Sequence, residues 1–219
     1  MRWLLSSARL VVCSATTLAL ILLAACAAPV VSPAPGARAF TPGDYEDIAE
    51  RWTRSARPFD FARMKTVLNL TATFESREFR WAYVVRYARD YGLPVEARNA
   101  LLGESLADAE HHHRFFVTLG GARPRELNLS DESGAWRVLL MDDRGRQVRP
   151  TEIRHVRRPT PGERRYFPSI SSQRSAFRLV FPAQHEDGLP TLSKDALFAV
   201  LRFTGAEGQI DLKWEFARP

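Results

Sequence analysis

The chain has 219 residues, 45% of them hydrophobic and 26% charged, and 31 basic against 25 acidic side chains give it a net charge of +6. Its two cysteines, Cys13 and Cys26, both lie near the start, which excludes a disulfide-stapled scaffold; a domain of about 180 residues can bury roughly 70% of its unfolded surface without one. No phosphate-cradling glycine loop and no dinucleotide fingerprint is present, so the common nucleotide-binding motifs are excluded too.

The first segment carries Arg2 and Arg9 and then no charge from Leu10 to Leu23. That run is too short for a hydrocarbon core about 30 Å thick, which takes about 20 helical residues, and it suits the apolar region of a secretory signal. It closes on Leu23-Ala24-Ala25-Cys26, which resembles the lipobox of bacterial lipoproteins. The resemblance implies a signal peptide over residues 1–25, cleavage before Cys26, a diacylglyceryl thioether on that cysteine and an acyl chain such as palmitate on its new amine. Cys26 is then the lipidation site and the membrane anchor, because several acyl chains hold a protein where one would be marginal. Ala27 is not acidic, which in Gram-negative lipoproteins implies sorting to the outer membrane, here to its periplasmic face. Loss of Arg2 and Arg9 with the signal lowers the net charge to +4.

Residues 26–40 are rich in Pro and Ala and read as an extended spacer lifting the domain off the membrane. One domain follows over 41–219. Thr41-Pro42 with Asp44, Glu46 and Asp47 predicts a helix start, and Tyr45, Ile48, Ala49 and Trp52 fall at helical spacing. Met64 to Phe74 reads as a strand. Ser76 caps a predicted helix to about Tyr91, striped by Phe79, Tyr83, Val84, Tyr87 and Tyr91; Gly92 and Pro94 break it, and a second helix runs to about Glu110. The helical hairpin thus covers about 76–112. Beyond it, period-two apolarity predicts strands around Phe115–Leu119, Trp136–Leu140, Ile153–His155, Phe177–Phe181, Leu197–Phe203 and Ile210–Phe216. Turns fall at Asp142-Asp143-Arg144-Gly145 and Gly205-Ala206-Glu207-Gly208. The pattern predicts an α+β fold: an antiparallel, immunoglobulin-like β-sandwich with an inserted helical hairpin and a short N-terminal helix.

Candidate chemistry is sparse. His111, His112 and His113 are the first residues to consider for a metal, with Asp108 one helical turn from His112, yet three consecutive histidines point in different directions on any regular backbone. Gly103-Glu104-Ser105-Leu106-Ala107 has the outline of a nucleophile elbow but lies inside a predicted helix, the wrong context for one. The tyrosine stripe reads as packing. No cofactor and no nucleic-acid partner is implied. The most informative feature is basic: eleven arginines between Arg137 and Arg178 face only four acids. Arg154, Arg157, Arg158, Arg164 and Arg165 flank Pro159-Thr160-Pro161-Gly162, read as a turn, and arginine forks bind phosphate and carboxylate bidentately. The functional expectation is therefore a non-enzymatic, membrane-anchored envelope lipoprotein binding another envelope protein or an anionic lipid or polysaccharide. The alternative is a periplasmic hydrolase or transferase acting on envelope polymers.

Overall fold

The computed structural model describes residues 30–31, 40–60, 65–121, 127–130 and 134–217. The signal peptide expected over residues 1–25, Cys26 and most of the spacer expected over 26–40 lie outside the described residues. In chain order the helices are α1 (Tyr45–Arg51), α2 (Arg77–Asp90), α3 (Val95–His111) and α4 (Pro161–Tyr166). The strands are β1 (Thr53–Ala56), β2 (Phe59–Asp60), β3 (Lys65–Thr66), β4 (Asn69–Phe74), β5 (His112–Gly120), β6 (Trp136–Met141), β7 (Gln147–Val148), β8 (Glu152–His155), β9 (Ser175–Pro182), β10 (Phe198–Gly205) and β11 (Gly208–Glu215). The fold is α+β. One sheet has the order β1-β4-β5-β9-β8, a second β11-β10-β6-β7, and β2 and β3 form a short ribbon; every named strand pairing is antiparallel.

Both large sheets contribute to one core. Phe115 of β5 and Phe74 of β4 lie 5.4 and 6.1 Å from the Trp214 ring of β11. Trp214 donates its indole N–H to the carbonyl of Trp52 at 2.9 Å, and the Trp52 indole donates to Glu78 at 2.7 Å, so two buried rings tie both sheets to α2. β11 shows the predicted alternation, with Ile210, Leu212 and Trp214 buried between exposed neighbours. β5 does not: Phe116 and Thr118 are as buried as Phe115 and Val117. The reason is a helical layer on the outer face of the five-stranded sheet, where Phe116 stacks on Phe167 at 4.0 Å and Phe167 meets Phe79 of α2.

Helix starts follow their caps. Ser76 accepts a hydrogen bond from the Phe79 N–H at 3.1 Å. The Asp44 carboxylate accepts from the backbone N–H and hydroxyl of Thr41, which lowers its pKa. Three expectations are corrected here. The Pro-Thr-Pro-Gly segment is not a bare turn: Thr160 and Glu163 form a capping box, with Thr160 N–H to Glu163 at 2.8 Å and Glu163 N–H to Thr160 at 3.1 Å, and it opens α4. The spacer is not free throughout: Val31 is only 1% exposed, its N–H donates to Glu215 at 2.8 Å and its carbonyl accepts from Ala217 at 2.7 Å. The strand expected over Met64–Phe74 is interrupted, since Lys65–Thr66 pairs with Phe59–Asp60 and pairing with β1 and β5 starts at Asn69. The hairpin after α2 forms near the expected positions, although no residue of α3 is fully buried.

The two expected tight turns are present. The Asp142 side chain accepts from the N–H groups of Arg144 and Arg146, and Gly145 has a φ of 78°. Gly205 ends β10 where a Cβ would stand 1.9 Å from the carbonyl oxygen of Ala135. Gly205→Ala should therefore cost about 1–3 kcal/mol, because rigid backbone rather than a flexible side chain must move. Chemical denaturation would check it, and an unchanged midpoint would refute it.

Candidate functional site

The helical layer does not cover the outer face of the five-stranded sheet completely. Between α1 and the segment from Arg165 to Ser169 lies an open groove of about 640 Å³. Thr53, Ser55 and Thr73 line it, held by a hydroxyl ladder built by strand pairing: Thr53 and Thr73 share a hydrogen bond at 2.8 Å, and Ser55 shares one at 2.9 Å with Thr71 beneath the groove. Arg174 extends the ladder by donating to Thr71 at 2.9 Å. Ala49, Phe167 and Pro168 supply apolar wall, while Glu46 and Glu50 on α1 face Arg165 across the opening.

Electrostatics within the helical layer favour holding rather than proton transfer. Glu46 is bound to Arg86 at 2.7 and 2.8 Å, and Arg86 also grips Asp90. Burial pushes against the Asp90 carboxylate, but hydrogen bonds from Arg86 and Tyr166 hold its pKa below the usual range. Glu163 likewise overcomes its burial through the Thr160 N–H and Arg178. The tyrosines move the other way. Burial pushes Tyr83 up to about 12 and raises Tyr45 and Tyr166 as well, so all three stay protonated. Tyr45 donates to the Tyr166 carbonyl at 2.7 Å and Tyr166 to Asp90 at 3.1 Å. These groups are fixed donors and fixed charges. Asp90, Glu163 and the three tyrosines are all shifted away from neutrality.

The five arginines singled out from the sequence are all exposed. Arg154 sits on β8 opposite Arg178 of β9, Arg157 and Arg158 follow β8, and Arg164 and Arg165 lie on α4. Among the described residues no carboxylate forms an ion pair with any of the five. The nearby acids are engaged elsewhere: Glu163 and Glu75 hold Arg178 at 3.2 and 2.8 Å, with the guanidinium over the rings of Phe116 and Phe167. Only Arg165 of the five lines the groove, and Arg154 borders a separate cavity of about 170 Å³ with Arg114, Arg178, Glu75 and Glu152.

The three histidines do not converge. His111 is exposed at the end of α3, and His112 bonds Asp108 through Nδ1 at 3.0 Å. His113 turns inward, its ring edge against Phe74 at 6.0 Å and its Nε2 buried without a partner. Among the described residues no three His, Cys, Asp or Glu side chains gather as a metal site. Asp108 serves arginines as well, bonding Arg80 and Arg114. Ser105, in the elbow-like sequence, lies within α3, and its carbonyl accepts from Arg80. The tyrosine stripe packs as expected through Tyr87 and leaves Tyr91 exposed at the rim of the layer.

No family model matches this chain, and no curated protein matches it. A crystal structure of a novel protein of unknown function from Burkholderia pseudomallei is similar over 80% of this chain and 90% of that one, at 13% identity and a TM-score of 0.33. Among the described residues no helix is long and apolar enough to cross a membrane.

The groove is the part of the site that sequence reasoning missed. Its floor depends on β1, whose Thr-Arg-Ser-Ala carries too little apolarity to announce a strand. The available signal was the alternation of hydroxyls at Thr53 and Ser55 matched by Thr71 and Thr73.

Proposed function

We propose that this chain is a lipid-anchored lipoprotein of the bacterial envelope, held to the periplasmic face of the outer membrane through Cys26, whose domain binds an anionic envelope component without transforming it. The domain is then an immunoglobulin-like sandwich with a helical layer on one face. The observation that carries the binding reading is the set of five exposed arginines, none ion-paired among the described residues, beside acids already committed to Arg178 and Arg86. Unpaired guanidinium groups at a surface attract anions and receive phosphate or carboxylate bidentately. The lipobox-like Leu23-Ala24-Ala25-Cys26 supports the address. A hydrolase acting through the groove carboxylates is less well supported, because Glu46, the partner of Glu50 one helical turn away, already neutralises Arg86.

The test compares binding of an acidic and a neutral polysaccharide at rising salt. The acidic ligand should bind, and its affinity should fall as salt screens the arginines. Replacing Arg157, Arg158, Arg164 and Arg165 by Gln should weaken it at least tenfold at low salt, since four charge-assisted contacts are removed. Equal binding by the variant would leave those arginines as ordinary solvated surface.

A further inference from the structure

Val31 shortens the tether, and its position in the fold gives the domain a side. Its backbone is bonded to Glu215 and Ala217, so the chain is fixed to the body of the domain there. Only five peptide steps separate Cys26 from Val31, which span at most about 18 Å. An acylated Cys26 therefore keeps the bilayer interface within that reach of the end of β11.

Strand order and register locate Arg157 and Arg158 relative to that point. β11 lies beside β1: Arg54 donates to the Lys213 carbonyl at 2.9 Å, and Trp214 to the Trp52 carbonyl. β1 is one edge of the five-stranded sheet and β8 is the other. Along the strands, Trp214 packs on Phe115, and Phe115 packs on Phe181 near the end of β9, so Phe216 lies at the Pro182 end. The pair Arg146–Asp187, between the turn after β6 and the loop after β9, brings the same ends of the two sheets together. His155 instead pairs with Phe177, near the start of β9, and Arg157 and Arg158 follow it. Four strand spacings across, about 19 Å, and seven residues along, about 23 Å, place Arg157 and Arg158 on a diagonal of about 30 Å from the β1 corner beside Val31. That exceeds the leash.

A second observation marks the tethered corner. Val30 is 55% exposed and Leu197 47% exposed, and Leu197 accepts from the Phe216 N–H at 2.8 Å, immediately beside the Val31 bridge. Exposed apolar side chains at the point of attachment suit the interfacial zone of a bilayer.

We infer that the β11 corner carrying Val30 and Leu197 faces the membrane and that Arg157 and Arg158, at the opposite corner of the five-stranded sheet, point away from it, so an anion held by that pair does not belong to the headgroup layer holding the anchor. This rests on acylation at Cys26. The experiment uses the full chain, acylated in cells and reconstituted into phosphatidylethanolamine–phosphatidylglycerol vesicles with brominated acyl chains. Leu197→Cys and Arg158→Cys variants are labelled separately with bimane, the new thiol being the one left free once Cys13 is removed and Cys26 acylated. The label at 197 should be quenched several-fold more than the label at 158. Equal or reversed quenching in vesicle-bound protein overturns the orientation alone, whereas protein that fails to float with the vesicles overturns the anchor and the orientation together. A long Gly/Ser insertion between Ala28 and Pro29 should abolish the difference without affecting flotation; a difference that survives it would overturn the leash as its cause.

Discussion

Arg80→Met should destabilise the domain by about 3 kcal/mol, the lower end of the range for breaking a buried ion pair. Arg80 is 5% exposed although it sits on a helix that also bears Arg77 and Arg89. Its guanidinium bonds the Asp108 carboxylate and the carbonyls of Glu75, Ser105 and His112, joining α2, α3 and the start of β5. Methionine fills similar volume but leaves three carbonyls without that donor and Asp108 without its most buried partner. The loss is tempered because Asp108 keeps Arg114 at 2.6 Å and His112 at 3.0 Å. Asp108→Asn should cost less, since the amide oxygen still accepts from Arg80. Urea unfolding of both variants checks the order. A loss below about 1 kcal/mol for Arg80→Met would place the pair among those that contribute little at a surface.

Arg80 also shows where sequence reasoning reached its limit. A helix starting after Ser76 was legible from its cap and aromatic stripe, and β11 from strict alternation, because each buries one face and wets the other. Where both faces are covered the periodicity vanishes, as in β5, and where a charged side chain is buried the composition misleads, as at Arg80 and Arg86. The capping box at Thr160–Glu163 was present in the letters, but Pro161 and Gly162 inside it suggested a turn; proline at the first helical position belongs to a helix start. Val31 carried no signal, since a valine among Pro and Ala docks only if a strand edge such as that of β11 is free to receive it. The candidate site divides similarly. The arginines were visible as composition, while the groove beside them depends on pairing between β1 and β4 that no local pattern encodes.

Stability should fall as pH drops from 6.5 to 4, with His113 as a principal cause. Burial, reinforced by the positive charges of Arg80 and His112, lowers its pKa from 6.5 to about 4. A proton therefore binds the unfolded chain more readily than the folded one within this window. The stability that neutral His113 confers is intact above pH 6.5 and is lost progressively as pH falls toward 4. The full difference corresponds to about 3 kcal/mol at 1.36 kcal/mol per unit. His155 adds to the same window, its pKa lowered by burial and by Arg157, while its ring stacks on Phe177 at 4.7 Å. The lowered carboxylates Asp90, Asp108 and Glu163 lose their contribution mainly at more acid pH, through folded pKa values below those of the free side chains. His113→Leu keeps an apolar group of comparable size beside Phe74 and removes the titration. Its free energy of unfolding should decline much less than wild type between pH 7 and 4.5, and His155→Gln should flatten the curve by a smaller amount. Parallel curves for wild type and His113→Leu would mean that the buried imidazole accepts its proton without cost, through a rotation that brings Nε2 to water.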